Sequence, residues 1–133
     1  MKRHSISDYP DNWTEIARAV KDAAGWRCVR CGHQHDPKNG YCLTVHHLDL
    51  DPQNCRWWNL PALCQRCHLE IQGKVIMERP WIFEHSDWFK PYAAGYYAFT
   101  MLGENLSRAE VEARLDEIFA VGQPWMIRTW CGQ

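Results

Sequence analysis

Four of the seven cysteines fall into two matched pairs, Cys28-Val29-Arg30-Cys31 and Cys64-Gln65-Arg66-Cys67, with 32 residues between them. A two-residue gap lets both thiolates of a tight turn face one ion, and two such turns supply the four tetrahedral sulfur ligands of a structural Zn²⁺. Gly32 suits the first knuckle, because glycine tolerates the positive φ that turns backbone N–H groups towards sulfur. A redox C-x-x-C would need a βαβ setting, and none surrounds either pair. Cys42, Cys55 and Cys131 lack such spacing and read as small buried thiols.

The interval between the knuckles carries further chemistry. His46 and His47 close the β-prone run Leu43 to Leu48, and side chains alternate along a strand, so the two imidazoles serve opposite faces. His68 directly follows the last zinc cysteine and is held by that knuckle. Two imidazoles with the remaining coordination positions open describe a catalytic metal site, in contrast to the closed sulfur site. His4, His33, His35 and His85 read as ordinary surface or hydrogen-bonded histidines. Asn54, in Asp51-Pro52-Gln53-Asn54, reads as a turn residue.

From Trp26 to Lys74 the ordered set C-x2-CG, VHHL, NL and LC-x2-CH resembles the zinc-bearing branch of the HNH endonucleases, the ββα-metal or His-Me finger nucleases. The resemblance covers a little over a third of the chain. It implies a small α+β fold in which a ββα-metal (HNH) core with a four-cysteine structural zinc is flanked by an N-terminal helix and a helical C-terminal extension. By the same resemblance, His46 and His68 are the ligands of the catalytic divalent ion and His47 is the general base. Asn59 braces the loop that orients His47, and Cys28, Cys31, Cys64 and Cys67 hold the structural zinc. The implied activity is metal-dependent DNA endonuclease or nickase chemistry that uses one Mg²⁺, Mn²⁺, Ni²⁺ or Zn²⁺ ion and leaves 5′-phosphate and 3′-hydroxyl ends. The setting it implies is the cytoplasm of a bacterial cell or a phage-infected host.

The elements that must position these groups are legible around them. Trp13, Ile16, Ala17, Val20 and Ala24 follow helical spacing, which predicts a helix over 13–24 opened by an Asn12–Glu15 capping box and closed by Gly25. A strand over Leu43–Leu48 and a short helix over Gln65–Gln72 frame the motif. Of Trp57 and Trp58, just before Asn59, one is expected to pack beneath the site and the other to face outward. Beyond Pro80 the chain turns aromatic. Pro91 suits the first turn of a helix over 91–102 ended by Gly103, and Ser107 with Glu110 makes a capping box for a helix whose Val111, Leu115, Ile118 and Phe119 share one face.

A length of 133 residues fits one domain, divided as helix 12–25, motif core 26–75 and extension 76–133. Met1 to Trp13 holds no apolar leader run. Tyr92–Leu102 is about half the ~20 residues of a membrane span, so the expectation is an intracellular chain with no membrane partner. The net charge of −1 advertises no nucleic-acid partner by itself. Residues 1–75, however, hold 10 Lys and Arg against 8 Asp and Glu, while 76–133 hold 5 against 8. Arg27, Arg30, Lys38, Arg56, Arg66 and Lys74 lie in or beside the motif and are the candidate phosphate contacts. DNA is the expected partner, with a homodimer or partner protein engaging the extension. The rival readings are a non-catalytic zinc-binding module for nucleic acid or protein, and a nuclease subunit directed by a partner.

Overall fold

In the computed structural model of the chain, residues 8–72 and 87–122 are described. Helix α1 runs Trp13–Ala23. The stripe Trp13, Ile16, Ala17, Val20 and Ala24 is half-buried, whereas most intervening positions are exposed, as the spacing requires. The expected capping box does not form. Asn12 sits at φ −97°, ψ 25°, away from the extended backbone from which a cap side chain reaches the first turn, and it makes no side-chain cap bond. Gly25, at φ +64°, ends the helix in the left-handed region.

Strand β1, Leu43–Val45, pairs antiparallel with β2, Ala62–Cys64, in the register Leu43 with Cys64, Thr44 with Leu63 and Val45 with Ala62. Helix α2, Gln65–Ile71, follows β2 without a break. The expected strand to Leu48 is shortened, and Pro61 gives the reason. His46 N–H donates to the Pro61 carbonyl at 3.3 Å, but proline has no N–H to return the bond. The chain still follows its partner, because Leu48 N–H donates to the Asn59 carbonyl at 3.0 Å. At the other end of β1, Cys42 N–H donates to the Gln65 side chain and Gln65 N–H to the Cys42 carbonyl, which ties the start of α2 to the strand.

Helix α3, Lys90–Met101, has Pro91 in its first turn and ends before Gly103 at φ +68°. The Ser107–Glu110 capping box is present in full. The helix that it opens is divided at Arg114 into α4, Arg108–Ala113, and α5, Leu115–Gly122. Val111 and Ile118 of the expected face are fully buried. One apolar cluster joins Cys28, Leu43, Leu48 and Leu63 of the motif to Phe89, Tyr97, Val111 and Ile118 of the C-terminal helices. Gly95 permits that union. A Cβ there would lie 2.6 Å from Trp58 Cβ and 2.9 Å from Trp57 Cζ2, so α3 packs backbone-close on the Trp57–Asn59 turn.

That packing corrects the reading of the tryptophan pair. Trp58 is buried beside Tyr96 and Phe99, and half-buried Trp57 packs against Tyr92 and donates from Nε1 to the Leu106 carbonyl at 2.8 Å. Both rings are held by the extension. Cys42 and Cys55 are half-buried, less enclosed than expected, because each lies at the edge of a strand or turn. Cys131, His4, His85, Lys74 and the Pro80 segment lie outside the described residues.

Candidate metal centre and histidine cluster

Each cysteine pair is shaped by its own backbone. Cys31 N–H donates to Cys28 Sγ and Cys67 N–H to Cys64 Sγ, both at 3.4 Å. Gly32 adopts φ +78°, the left-handed turn that a knuckle uses. The four sulfurs all lie within 4.8 Å of one another, and Cys31 Sγ and Cys64 Sγ are 3.8 Å apart. Zn–S bonds of about 2.3 Å in a tetrahedron put neighbouring sulfurs about 3.8 Å apart, so the donor set fits zinc. Burial pushes the Cys31 and Cys67 thiols up. At Cys28 burial also acts upward, but hydrogen bonds from Cys31, Cys64 and Arg30 prevail and lower the thiol. Four crowded sulfurs resist shared negative charge until a cation neutralises it, which is how a structural zinc couples to folding.

His46 and His47, which follow β1, have different ring neighbours. The His46 and His68 ring centroids are 4.5 Å apart. His46 is 5% exposed, and its Nε2 is buried with no hydrogen-bond partner among the described residues. Burial, reinforced by His68 and His47, pushes the His46 imidazole down to about 3, and burial lowers His68 as well. Both rings are therefore neutral near pH 7 and carry lone pairs suited to a cation. Thr44 Oγ1 donates to the Leu63 carbonyl at 2.7 Å and lies 2.9 Å from His68 Nδ1.

His47 contacts a different pair of rings. Its ring centroid is 4.8 Å from that of Trp13 and 5.7 Å from that of Tyr9, and these two rings stack on each other. The segment before α1 is pinned there, because Gln53 Nε2 donates to the Asp8 carbonyl at 2.6 Å. His47 is consequently only 8% exposed.

Asn59 is completely buried and ties the loop after His47 to the turn that carries it. Its Oδ1 accepts from Asp49 N–H at 2.9 Å, and its Nδ2 donates to Asp49 Oδ1 at 2.8 Å and to the Asn54 carbonyl at 2.9 Å. Asn54 does more than turn the chain, since its Nδ2 donates to Asp49 Oδ2 at 2.7 Å. The loop also closes on itself, with Leu50 N–H donating to the His47 carbonyl.

Of the candidate phosphate contacts, three are held by an ion pair or a ring face. Arg30 pairs with Glu70, joining the first knuckle to α2. Arg66 donates to the Asn39 and Gly40 carbonyls and stacks on Tyr41. Arg56 bonds Asn54 and lies 4.1 Å over the Phe99 ring. Arg27 is exposed and makes one 3.3 Å bond to the Gly32 carbonyl, and Lys38 is exposed on the Pro37–Asn39 turn. His33 stacks on Tyr41, while His35 Nδ1 accepts from Leu43 N–H and braces β1. Sequence reasoning missed Thr44, Asp49, Tyr9 and Trp13 as neighbours of the site. Only Thr44 was within reach, since it stands two residues before His46 and shares its strand face.

A segment of 62 residues is 32% identical to Zorya protein ZorE of Escherichia coli, spanning 47% of this chain and 17% of that protein. No protein-family model and no solved structure matches the chain. No helix among the described residues is long and apolar enough to cross a membrane.

Proposed function

We propose that the chain is a metal-dependent DNA endonuclease or nickase of the HNH type, hydrolysing phosphodiester bonds to leave 5′-phosphate and 3′-hydroxyl ends. The observation that carries this reading is the pair His46 and His68, two close imidazoles of which His46 buries an Nε2 with no hydrogen-bond partner among the described residues. A buried polar atom without a partner is costly, and a cation is a natural complement for it. His46 and His68 would hold a divalent ion, which would supply Lewis-acid charge neutralisation for phosphodiester hydrolysis. His47, whose charge acts on the His46 ring, takes a proton from the attacking water. Asn59 and Asp49 hold the loop after His47 and so fix the direction of its ring. Arg27 and Lys38 are the phosphate contacts with the most freedom to engage a backbone.

The partial likeness to a Zorya protein makes a Zorya-type system the setting in which the activity is best sought. A second reading, a zinc-dependent binding module without catalysis, draws support from the Tyr9 and Trp13 rings that cover His47. The two separate in one assay. Zinc-loaded protein mixed with supercoiled plasmid and Mg²⁺, Mn²⁺ or Ni²⁺ nicks the plasmid under the first reading. No cleavage of duplex, single-stranded or branched DNA with any of these ions supports the second.

A further inference from the structure

We infer that Thr44 is a positioning residue that holds His68 as its Nδ1–H tautomer and leaves Nε2 as the ring's single lone pair. The inference rests on the reading of His46 and His68 as metal ligands and adds a residue that the motif does not contain.

The hydrogen count on Thr44 decides the tautomer. A hydroxyl carries one hydrogen. Thr44 Oγ1 lies 2.7 Å from the Leu63 carbonyl, which can only accept, so that hydrogen is committed to Leu63. The 2.9 Å contact between Thr44 Oγ1 and His68 Nδ1 is then made with the imidazole as donor. A neutral imidazole protonated on Nδ1 has its lone pair on Nε2. Hydrogen bonds of this kind, from the far nitrogen of a ligating histidine, set ring orientation and ligand basicity.

The fold makes the contact rigid at both ends. Thr44 is the middle residue of β1, opposite Leu63 in the register, and its β-branched side chain has few rotamers open to it. His68 is on α2, which follows β2 directly and is tied to β1 through the reciprocal Cys42–Gln65 bonds. Thr44 and His46 stand two residues apart on one strand face, so the residue that orients His68 and the residue that would share its ion come from the same three-residue step.

The test uses the full chain with zinc bound. Nitrogen-15 spectra of the histidine side chains at about pH 8, where free imidazole is neutral, are recorded for wild type, Thr44→Val and Thr44→Ser. Ni²⁺ binding is measured by calorimetry, and zinc content and circular dichroism report folding. The expected result is an Nδ1–H signal for His68 in wild type and Thr44→Ser, lost in Thr44→Val. Ni²⁺ affinity should fall about 10- to 100-fold in Thr44→Val alone. A His68 protonated on Nε2 in wild type, or a Thr44→Val spectrum equal to wild type, overturns the inference. So does unchanged Ni²⁺ affinity in a folded Thr44→Val protein whose tautomer has moved. Wild type that shows the Nδ1–H signal but binds no Ni²⁺ defeats the metal reading while the tautomer assignment stands.

Discussion

Replacing Asn59 tests the part of the site that the structure describes in most detail. Its amide makes three hydrogen bonds at zero exposure, one of them to the Asp49 carboxylate. A neutral bond contributes about 1 kcal/mol net and a charge-assisted one about 1.5–3, so Asn59→Ala should cost roughly 3–5 kcal/mol. Domain stabilities are on the order of 5–15 kcal/mol, which makes this a large share. Asn59→Asp separates shape from hydrogen bonding. It keeps the volume, loses the donor and sets a second carboxylate where the amide stood 2.8 Å from Asp49 Oδ1. At pH 7 it should be at least as unstable as Asn59→Ala, because two close carboxylates repel. Between about pH 7 and pH 5 it should regain stability relative to Asn59→Ala, since a proton shared by the pair restores a donor. The sign follows from linkage: in this variant the folded state binds more protons than the unfolded chain, so stability rises as pH falls. Urea unfolding of the zinc-loaded proteins at several pH values reads both effects. A cost under about 1 kcal/mol for Asn59→Ala, or no difference in pH response between the variants, would refute the bracing role.

Further outcomes follow from other contacts. Gly95→Ala forces a methyl against Trp57 and Trp58 and should destabilise by about 1–3 kcal/mol in urea melts; a neutral result would mean that α3 does not pack so closely on the Asn59 turn. Mass spectrometry should find one zinc per chain, and Cys64→Ser or chelation should abolish cooperative unfolding, because the four sulfurs join the two knuckles; a chelated protein with an unchanged melt would contradict this. Trp13→Ala uncovers His47 and should speed its modification by diethylpyrocarbonate, measured by peptide mass spectrometry; an unchanged rate would show that the Trp13 ring does not shield it.

Local rules made much of the framework legible. The stripe on α1, Pro91 and Gly103 at the ends of α3, and the Ser107–Glu110 box depend on neighbours within a turn or two. The cysteine pairs were legible because a two-residue knuckle is also local, and a shared ion, which the clustered sulfurs fit, was the economical solution for four thiols. Most of what escaped depends on contacts distant in sequence. Trp57 turns inward because Leu106, 49 residues away, offers its carbonyl, and Trp58 because Gly95 leaves room. Tyr9 reaches His47 through a loop closure secured by Gln53. Asn12 failed as a cap because its backbone enters the helix from a non-extended conformation, which residue type alone does not specify. The division of the last helix at Arg114 accompanies side-chain bonds to Glu104 and Glu117, the first of which joins the helix to the preceding loop.

The proposed chemistry stands on His47 moving a proton during phosphodiester hydrolysis beside a metal held by His46 and His68. Its decisive test is single-turnover cleavage of an end-labelled DNA duplex by wild type and His47→Ala, both zinc-loaded and with matched Ni²⁺ affinity. A positioned base contributes about 10²–10⁴-fold, so the rate should fall by a factor in that range with folding and metal binding retained. Cleavage by His47→Ala at the wild-type rate would contradict the general-base role.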